Sequence, residues 1–582
     1  MRPLSSPRRS LRNPCIALTV PFVGYVIWLS IWFFAPPNPI WAFCLLVCAA
    51  AAGAFAWYLA RGGGISVLHW LEDHSIAVTR TTIFLFAATS IVLNVFQAEY
   101  FALGARAQDT AYNNQILWNT LHGHFLNGNL NQESLYNPPV TNELALHVSP
   151  VLLLVLLPIY SLFPHFLTLL LVRDIALSAA AWPLYLIVRD RMGGGAATAA
   201  SILYLLNPVV VSQVFQEFSL LQIAPFPFFL ASRAFLHGKL GKFIFWIALT
   251  IATREDASIA AAGFGLWALL LRRGIRWWGA GLSIPVFWWL LATMVVQPAF
   301  GRHGNSSLDL ALTGGNHNPF VIYFTLAYKS LLILRTGGTT SLEYLYHLLR
   351  PFAFLPLFGV EGVLAVPSLL ANIFLLNAYP HAGTGDPTSR FALLPSCALI
   401  VASVIGFARI GKRYSLDLTV VGIIAFLLMP SVMLIQGAKD AIQLRLILYN
   451  FKIPNDPSAL RQALRLIPAN SPVASPEYVL PMLSSRHLVY DITSLQRYPA
   501  ARPDYLLYDR NVDRVTVNPD VRRRYVDLLQ TLLHSGEYER IWEEKDYLLF
   551  RRMANTKSDL SKKLPSGDPA HTYPASTLPQ SS

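Results

Sequence analysis

Val148-Ser-Pro-Val-Leu-Leu-Leu-Val-Leu-Leu-Pro-Ile-Tyr-Ser-Leu-Phe163 is the stretch whose reading decides how this chain is threaded. It is apolar enough to enter a membrane, but it has 16 residues and is bounded by Pro164, whereas a spanning helix needs about 20. The apolar blocks around it are 14–35, 39–60, 81–99, 166–188, 197–215, 219–236, 241–254, 257–271, 276–297, 343–359, 361–377, 391–408 and 416–436. Between them sit short basic clusters: the N-terminal arginines, Arg61 and Arg80, Arg189 with Arg191, Arg233 with Lys239 and Lys242, Arg272 with Arg273 and Arg276, and Arg409 with Lys412 and Arg413. Such clusters mark cytoplasmic loops, so an even number of crossings must separate each neighbouring pair. Between Arg80 and Arg189 that condition holds only if 148–163 does not cross. It is therefore expected to be a re-entrant or interfacial helix on the outer face.

The fold class that follows is mainly α: a polytopic transmembrane helix bundle of about 13 spans, N-terminus inside and C-terminus outside. Composition agrees. The 582 residues are 54% hydrophobic and 13% charged, where a soluble protein carries roughly 25% charged residues. The net charge of +13 is distributed as topology-setting clusters rather than as a basic face, which argues against nucleic acid as a partner. Cys15, Cys44, Cys48 and Cys397 lie in apolar blocks with no metal-ligand spacing. The run Pro14–Ala35 is longer than a signal-peptide core and is expected to be a retained first span.

Residues 1–80 read as two extra N-terminal spans with a cytoplasmic loop, and 81–437 as the transmembrane core with an outer loop at 100–165. Residues 438–552 read as a small extracytoplasmic α/β domain, and 553–582, rich in Ser, Pro, Lys and Thr, as a disordered tail. Within the third region, Val473-Ala-Ser, residues 487–492, 503–509 and 547–550 read as strands, and 457–467 and 519–535 as helices.

The same count carries Asp109, Glu217, Glu255, Asp256 and His381, from separate loops, to the outer face. Asp109 opens the polar stretch Asp109-Thr-Ala-Tyr-Asn-Asn-Gln-Ile-Leu-Trp-Asn119. Two roles fit it: the cap of an interfacial helix, or a general base or metal-binding carboxylate facing a substrate. Gln115, Trp118 and Asn119 share a helix face by their spacing, which suits sugar hydroxyls and interfacial anchoring alike. His147 and His381 suit a phosphate or a structural place in a loop. Arg254-Glu255-Asp256 puts three charges beside the hydrocarbon, a costly arrangement unless paired or wet, with Arg254 placed to neutralise one carboxylate. Arg173–Asp174 lies inside block 166–188; neighbours on a helix point about 100° apart, so they need not pair with each other. No Asp-x-Asp follows Asp109, so no cofactor is evident; a divalent metal is compatible with the outer carboxylates without being indicated, and its ligands are unassigned. Phosphate loops, nucleophile elbows and zinc-hydrolase signatures are absent.

Asp109 with Gln115-Ile-Leu-Trp-Asn119 and Gly123, His147-Val-Ser-Pro150, Leu157-Pro-Ile-Tyr160, Pro183-Leu-Tyr-Leu186, Glu217-Phe218, Arg254-Glu-Asp256 and His381 resemble the DUF2079 group of bacterial membrane proteins, placed among the GT-C-type glycosyltransferases. The likeness covers roughly residues 80–550. It departs from the family pattern at Asn114, where the family has a second Asp, at Ser219 in place of a His, and at Ala382 after His381. The resemblance implies a GT-C-like bundle in the bacterial inner (cytoplasmic) membrane, an acidic base in the first outer loop, and a sugar on polyprenyl phosphate as donor. The expected activity is transfer of that sugar to an acceptor, itself unidentified. Asp109 would be the base, Glu217, Glu255 and Asp256 would position the acceptor or a metal, and Arg254, His147, His381 and Arg173 would serve substrate binding beside Gln115, Trp118 and Asn119. The rival readings are a transporter or flippase of lipid-linked saccharide, and a membrane scaffold without catalysis.

Overall fold

The computed structural model describes residues 70–100, 108–130, 141–301, 328, 338–349, 352, 354–378, 389–414, 457–497, 501–515, 519–534 and 536–553. The helices that matter below are α1 (Ser75–Tyr100), α2 (Gln108–Leu121), α3 (Phe166–Ala179), α4 (Ala181–Met192), α5 (Gly194–Leu205), α6 (Pro208–Phe215), α7 (Pro225–Leu236), α8 (Leu240–Ile251), α9 (Ala257–Leu270) and α10 (Ile275–Leu290). They are followed by α11 (Gly338–Leu349), α12 (Val366–Ala378), α13 (Leu393–Tyr414), α14 (Pro457–Leu466) and α15 (Pro519–His534).

Among the described residues, four stretches are long and apolar enough to cross a bilayer: Ser75–Val95, Phe166–Met192, Ile275–Ala299 and Arg390–Arg409. At a rise of about 1.5 Å per residue, twenty residues cover roughly 30 Å. Taken together, α5 and α6 meet the same length and hydropathy test, but they are bent by 45° where Pro208 cannot donate to the helical ladder, the geometry of a broken span or a re-entrant loop. The expected block 343–359 is not one helix. Its described part is helical up to Leu349 and forms 3-10 turns over Leu355–Phe358 and Val360–Ala365, where Pro356 has no backbone donor. Blocks 14–35, 39–60 and 416–436 lie outside the described residues. The deciding stretch forms a helix over Leu152–Leu162, whose first turn, Leu152–Leu156, is π-helical. It is shorter than a span, leaves Leu154 and Leu162 exposed, and begins where Val151 N–H donates to Ala252 O (3.0 Å).

Small polar contacts join the apolar helices. α1 meets α4 and α5 through Ser75–Tyr185 (2.9 Å) and Thr79–Thr198 (3.0 Å), and α3 through Asn94 Nδ2, which donates to Asp174 Oδ2 (2.7 Å). With no water to compete, such pairs act as glue between helices. α9 and α10 cross backbone to backbone at Gly265 and Gly281, where a Cβ on either would fall within 3 Å of the other's chain. Arg173, fully buried, does pair with its neighbour: Nε donates to Asp174 Oδ1 (2.9 Å). Its two other nitrogens donate to Val214 O (2.7 Å) and Gln216 O (2.5 Å). The long arginine side chain curls back along the helix, overcoming the angular offset of adjacent positions.

Residues 457–553 build a five-stranded sheet from β1 (Val473–Ser475), β2 (Val489–Asp491), β3 (Tyr505–Asp509), β4 (Tyr538–Glu544) and β5 (Tyr547–Arg552), in the order β2-β1-β3-β5-β4. β1 is parallel to β2 and β3, and β5 is antiparallel to β3 and β4. β4 was not expected from the sequence: it is an edge strand with Arg540, Ile541 and Glu543 exposed and no residue fully buried. This sheet does not stand apart from the helices. One hydrophobic core joins Ile116 and Leu117 of α2, Leu152, Leu156 and Tyr160, and Leu169 of α3 to Leu460 of α14, Val473, Leu480, Val489 and Leu549. Asn114, wholly buried, sits at that junction. Its Nδ2 donates to the hydroxyls of Ser484 (2.8 Å) and Ser485 (3.1 Å), and its Oδ1 accepts from Tyr160 (2.7 Å). A carboxylate could not make the two donations, which accounts for an amide here.

Candidate functional site

Five segments far apart in sequence supply one charged cluster. They are the start of α2, the turn 143–148 ahead of the short apolar helix, the loop 216–219 after α6, the turn 252–256 between α8 and α9, and residues 390–391 at the head of α13. Asp109, in the first turn of α2, donates its backbone N–H to Glu217 Oε2 (3.0 Å), and its carboxylate forms an ion pair with Arg390. The same guanidinium nitrogen lies 3.8 Å from Glu217 Oε1. Phe218 N–H donates to Thr110 Oγ1 (2.8 Å), locking the 216–219 loop to α2. Arg173 anchors the other side of that loop through Val214 O and Gln216 O.

The turn 252–256 divides its charges. Arg254 chelates Asp256, with Nε donating to Oδ1 at 2.9 Å. Glu255 turns away, accepting from His147 Nδ1 (2.9 Å) through Oε1 and from Val148 N–H (2.9 Å) through Oε2. Since a carboxylate only accepts, His147 must donate from Nδ1, and its side chain remains 39% exposed. The guanidinium groups of Arg254 and Arg390 both lie over the Phe391 ring, 5.6 and 5.4 Å from its centroid, a favourable placement for cations.

Burial works against charge throughout the cluster, and the paired cations decide the outcome. For Asp109, burial opposes ionisation, but Arg390, with smaller help from Arg254 and His147, holds the carboxyl below its usual range. For Glu255, burial is outweighed by His147, Arg254 and the Val148 N–H, which bring it down to about 2. His147 is itself pushed up, since Glu255 overcomes burial and the repulsion of Arg254. Glu143 is the exception. It is 2% exposed, its Oε2 has no hydrogen-bond partner among the described residues, and burial raises it to about 7 against the pull of His147 and Tyr112.

Glu143 therefore binds a proton in the folded chain that the unfolded chain has released, so stability falls as pH rises from about 4.5 to about 7. His147, raised, acts in the same direction as pH climbs through its folded value. Glu143→Gln is expected to remove roughly 3 kcal/mol of that fall. Thermal unfolding in nanodiscs at pH 5 and pH 8 measures it; a variant with the wild-type pH dependence would refute the assignment.

Of the residues singled out in the sequence, Asp109, Glu217, Arg254, Glu255, Asp256 and His147 come together here. Gln115 and Asn119 are buried and point elsewhere: Gln115 Nε2 donates to Asn129 Oδ1 (2.6 Å) and His487 O (2.9 Å), and Asn119 Nδ2 to Asn127 O (2.8 Å). Trp118 stacks on His122 at 3.8 Å. Arg173 is enclosed in the bundle, and His381 lies outside the described residues. Arg390, which the sequence places at the edge of block 391–408, and Glu143, which nothing in its polar surroundings distinguishes, join the cluster. Among the described residues, no group of three or more His, Cys, Asp or Glu side chains could hold a metal ion.

A family model described as predicted membrane protein (DUF2079) matches residues 99–549. No curated protein matches the sequence. Among solved structures, the chain is similar to ArnT from Cupriavidus metallidurans bound to undecaprenyl phosphate, at 13% identity and TM-score 0.37, over 81% of this chain and 98% of that one. It is also similar to the Archaeoglobus fulgidus oligosaccharyltransferase in complex with Zn and sulfate, at 11% identity and TM-score 0.36, over 78% and 71% of the two chains. At these scores the likeness assigns no residue a role.

Proposed function

The chain belongs to the DUF2079 family of predicted membrane proteins, and from that premise we propose that it is a membrane glycosyltransferase moving a sugar from a polyprenyl-phosphate donor to an acceptor at the extracytoplasmic face of a bacterial cytoplasmic membrane. The reading takes the bundle as about 13 spans, N-terminus inside, with the 148–163 helix at the outer interface and the C-terminal sheet outside. The observation that carries it is the meeting of Asp109, Glu217, Glu255, Asp256, Arg254, Arg390 and His147, drawn from five segments, in one partly exposed cluster beside apolar helices. Charges so near hydrocarbon persist where they serve a substrate.

In this mechanism the acceptor hydroxyl oxygen attacks the anomeric carbon on the face opposite the phosphate. The bond from that carbon to the phosphate oxygen breaks, and its electron pair leaves with the phosphate. Asp109 takes the hydroxyl proton. With its pKa held low it is a weak base, so it receives the proton late, as the phosphate departs. Glu217 fixes the Asp109 backbone, and His147, oriented by Glu255, serves the leaving phosphate with Arg254. Gln115, Asn119 and Arg173 hold the scaffold rather than the substrate.

The test is to supply nanodisc-embedded protein with a polyprenyl-phosphate-linked labelled sugar and candidate hydroxyl acceptors. The expected result is label joined covalently to an acceptor. Movement of intact lipid-linked sugar across the bilayer, with no covalent transfer, would overturn the proposal in favour of a flippase.

A further inference from the structure

A carboxylate of the first outer loop beside one from the loop 216–219 is the natural place to look for a divalent cation. Asp109 and Glu217 are close enough that Glu217 accepts the Asp109 backbone N–H, and two carboxylates at such range need a cation to stay ionised together. The position between them is taken. A single guanidinium nitrogen of Arg390 pairs with Asp109 and reaches Glu217 at 3.8 Å. Two further acids are also committed, Asp256 to Arg254 and Glu255 to His147. A small divalent ion demands near-octahedral oxygen ligands at about 2.0–2.1 Å, and a bridging guanidinium denies it that approach. Arginine keeps its charge at every accessible pH, so the cation between the two carboxylates is not lost by titration.

We infer that Arg390 is a built-in cation holding the place a divalent metal would take between Asp109 and Glu217, so that this chain orders its site carboxylates without a metal ion. The inference concerns the site proposed above but not the reaction. Metal binding is measured by itself, so failure of the transfer assay and failure of this inference are distinguishable.

The test is manganese binding to the purified full-length chain, followed by the loss of the free-ion paramagnetic resonance signal. The wild type is expected to show no tight stoichiometric site. Arg390→Ala is expected to gain one manganese per chain with affinity raised at least about ten-fold, and Asp109→Asn added to that variant should remove it, since each lost charged ligand costs about that much or more. Arg390→Gln takes the place of the alanine variant where the latter does not fold. A wild-type chain that binds one manganese, lost on Asp109→Asn, would overturn the inference. So would folded Arg390 variants that gain no site.

Discussion

Asp109→Asn is expected to reduce sugar transfer by about 10²–10⁴-fold, the range supplied by a positioned general base. Asparagine keeps the size of the side chain and an oxygen for Arg390, and the backbone donation to Glu217 does not depend on it. What disappears is the capacity to take a proton. The loss should therefore fall on kcat with KM little changed. Because Arg390 holds the Asp109 carboxyl below its ordinary range, the wild-type rate should stay flat with respect to this group down to the usual carboxylate region. Transfer within about threefold of wild type in the asparagine variant would remove Asp109 from the base role.

Arg173→Leu is expected to lower stability by about 3–5 kcal/mol, because it strands Asp174 as an uncompensated charge in the bundle interior. The side chain is fully buried and bonds Asp174, Val214 O and Gln216 O. Its removal leaves Asp174 with the Asn94 amide alone among its side-chain partners here, and it frees two buried carbonyls. The loop carrying Glu217 then loses its anchor on the α3 side. Removing both charges is the informative control: Arg173→Leu combined with Asp174→Leu should recover much of the loss, since a buried pair replaced by apolar groups is often near neutral. Thermal unfolding in nanodiscs reads both. A single variant as stable as wild type would show that the pair carries no structural role.

Much of the cluster could be read without coordinates, for a physical reason. Acids between apolar blocks are conspicuous, so Asp109, Glu217 and Glu255–Asp256 stand out. What escaped were features defined by contact rather than by composition. Arg390 looks like an ordinary residue at a span's edge, and only the fold sets it between Asp109 and Glu217. Glu143 belongs to a polar stretch in which many residues could be acidic without consequence, and its burial is a tertiary fact. Gln115 and Asn119 were correctly seen to share a face, but that face meets His487 and Asn129 rather than solvent. The bend between α5 and α6 is visible as Pro208, yet hydropathy averages run across it. β4 escaped because an edge strand with alternating charge carries no apolar signature.

The bond between Asn114 and Ser484 ties together residues 370 positions apart in the chain. During synthesis at about 5–20 residues per second, α2 leaves the ribosome roughly 20–75 s before Ser484 exists. Through that interval the helix bearing Asp109 lacks the surface that covers its buried amides. The helix carrying Asp109 thus gains its full support only after residues near 484 have been made, and a product cut short before them carries the acids without that support.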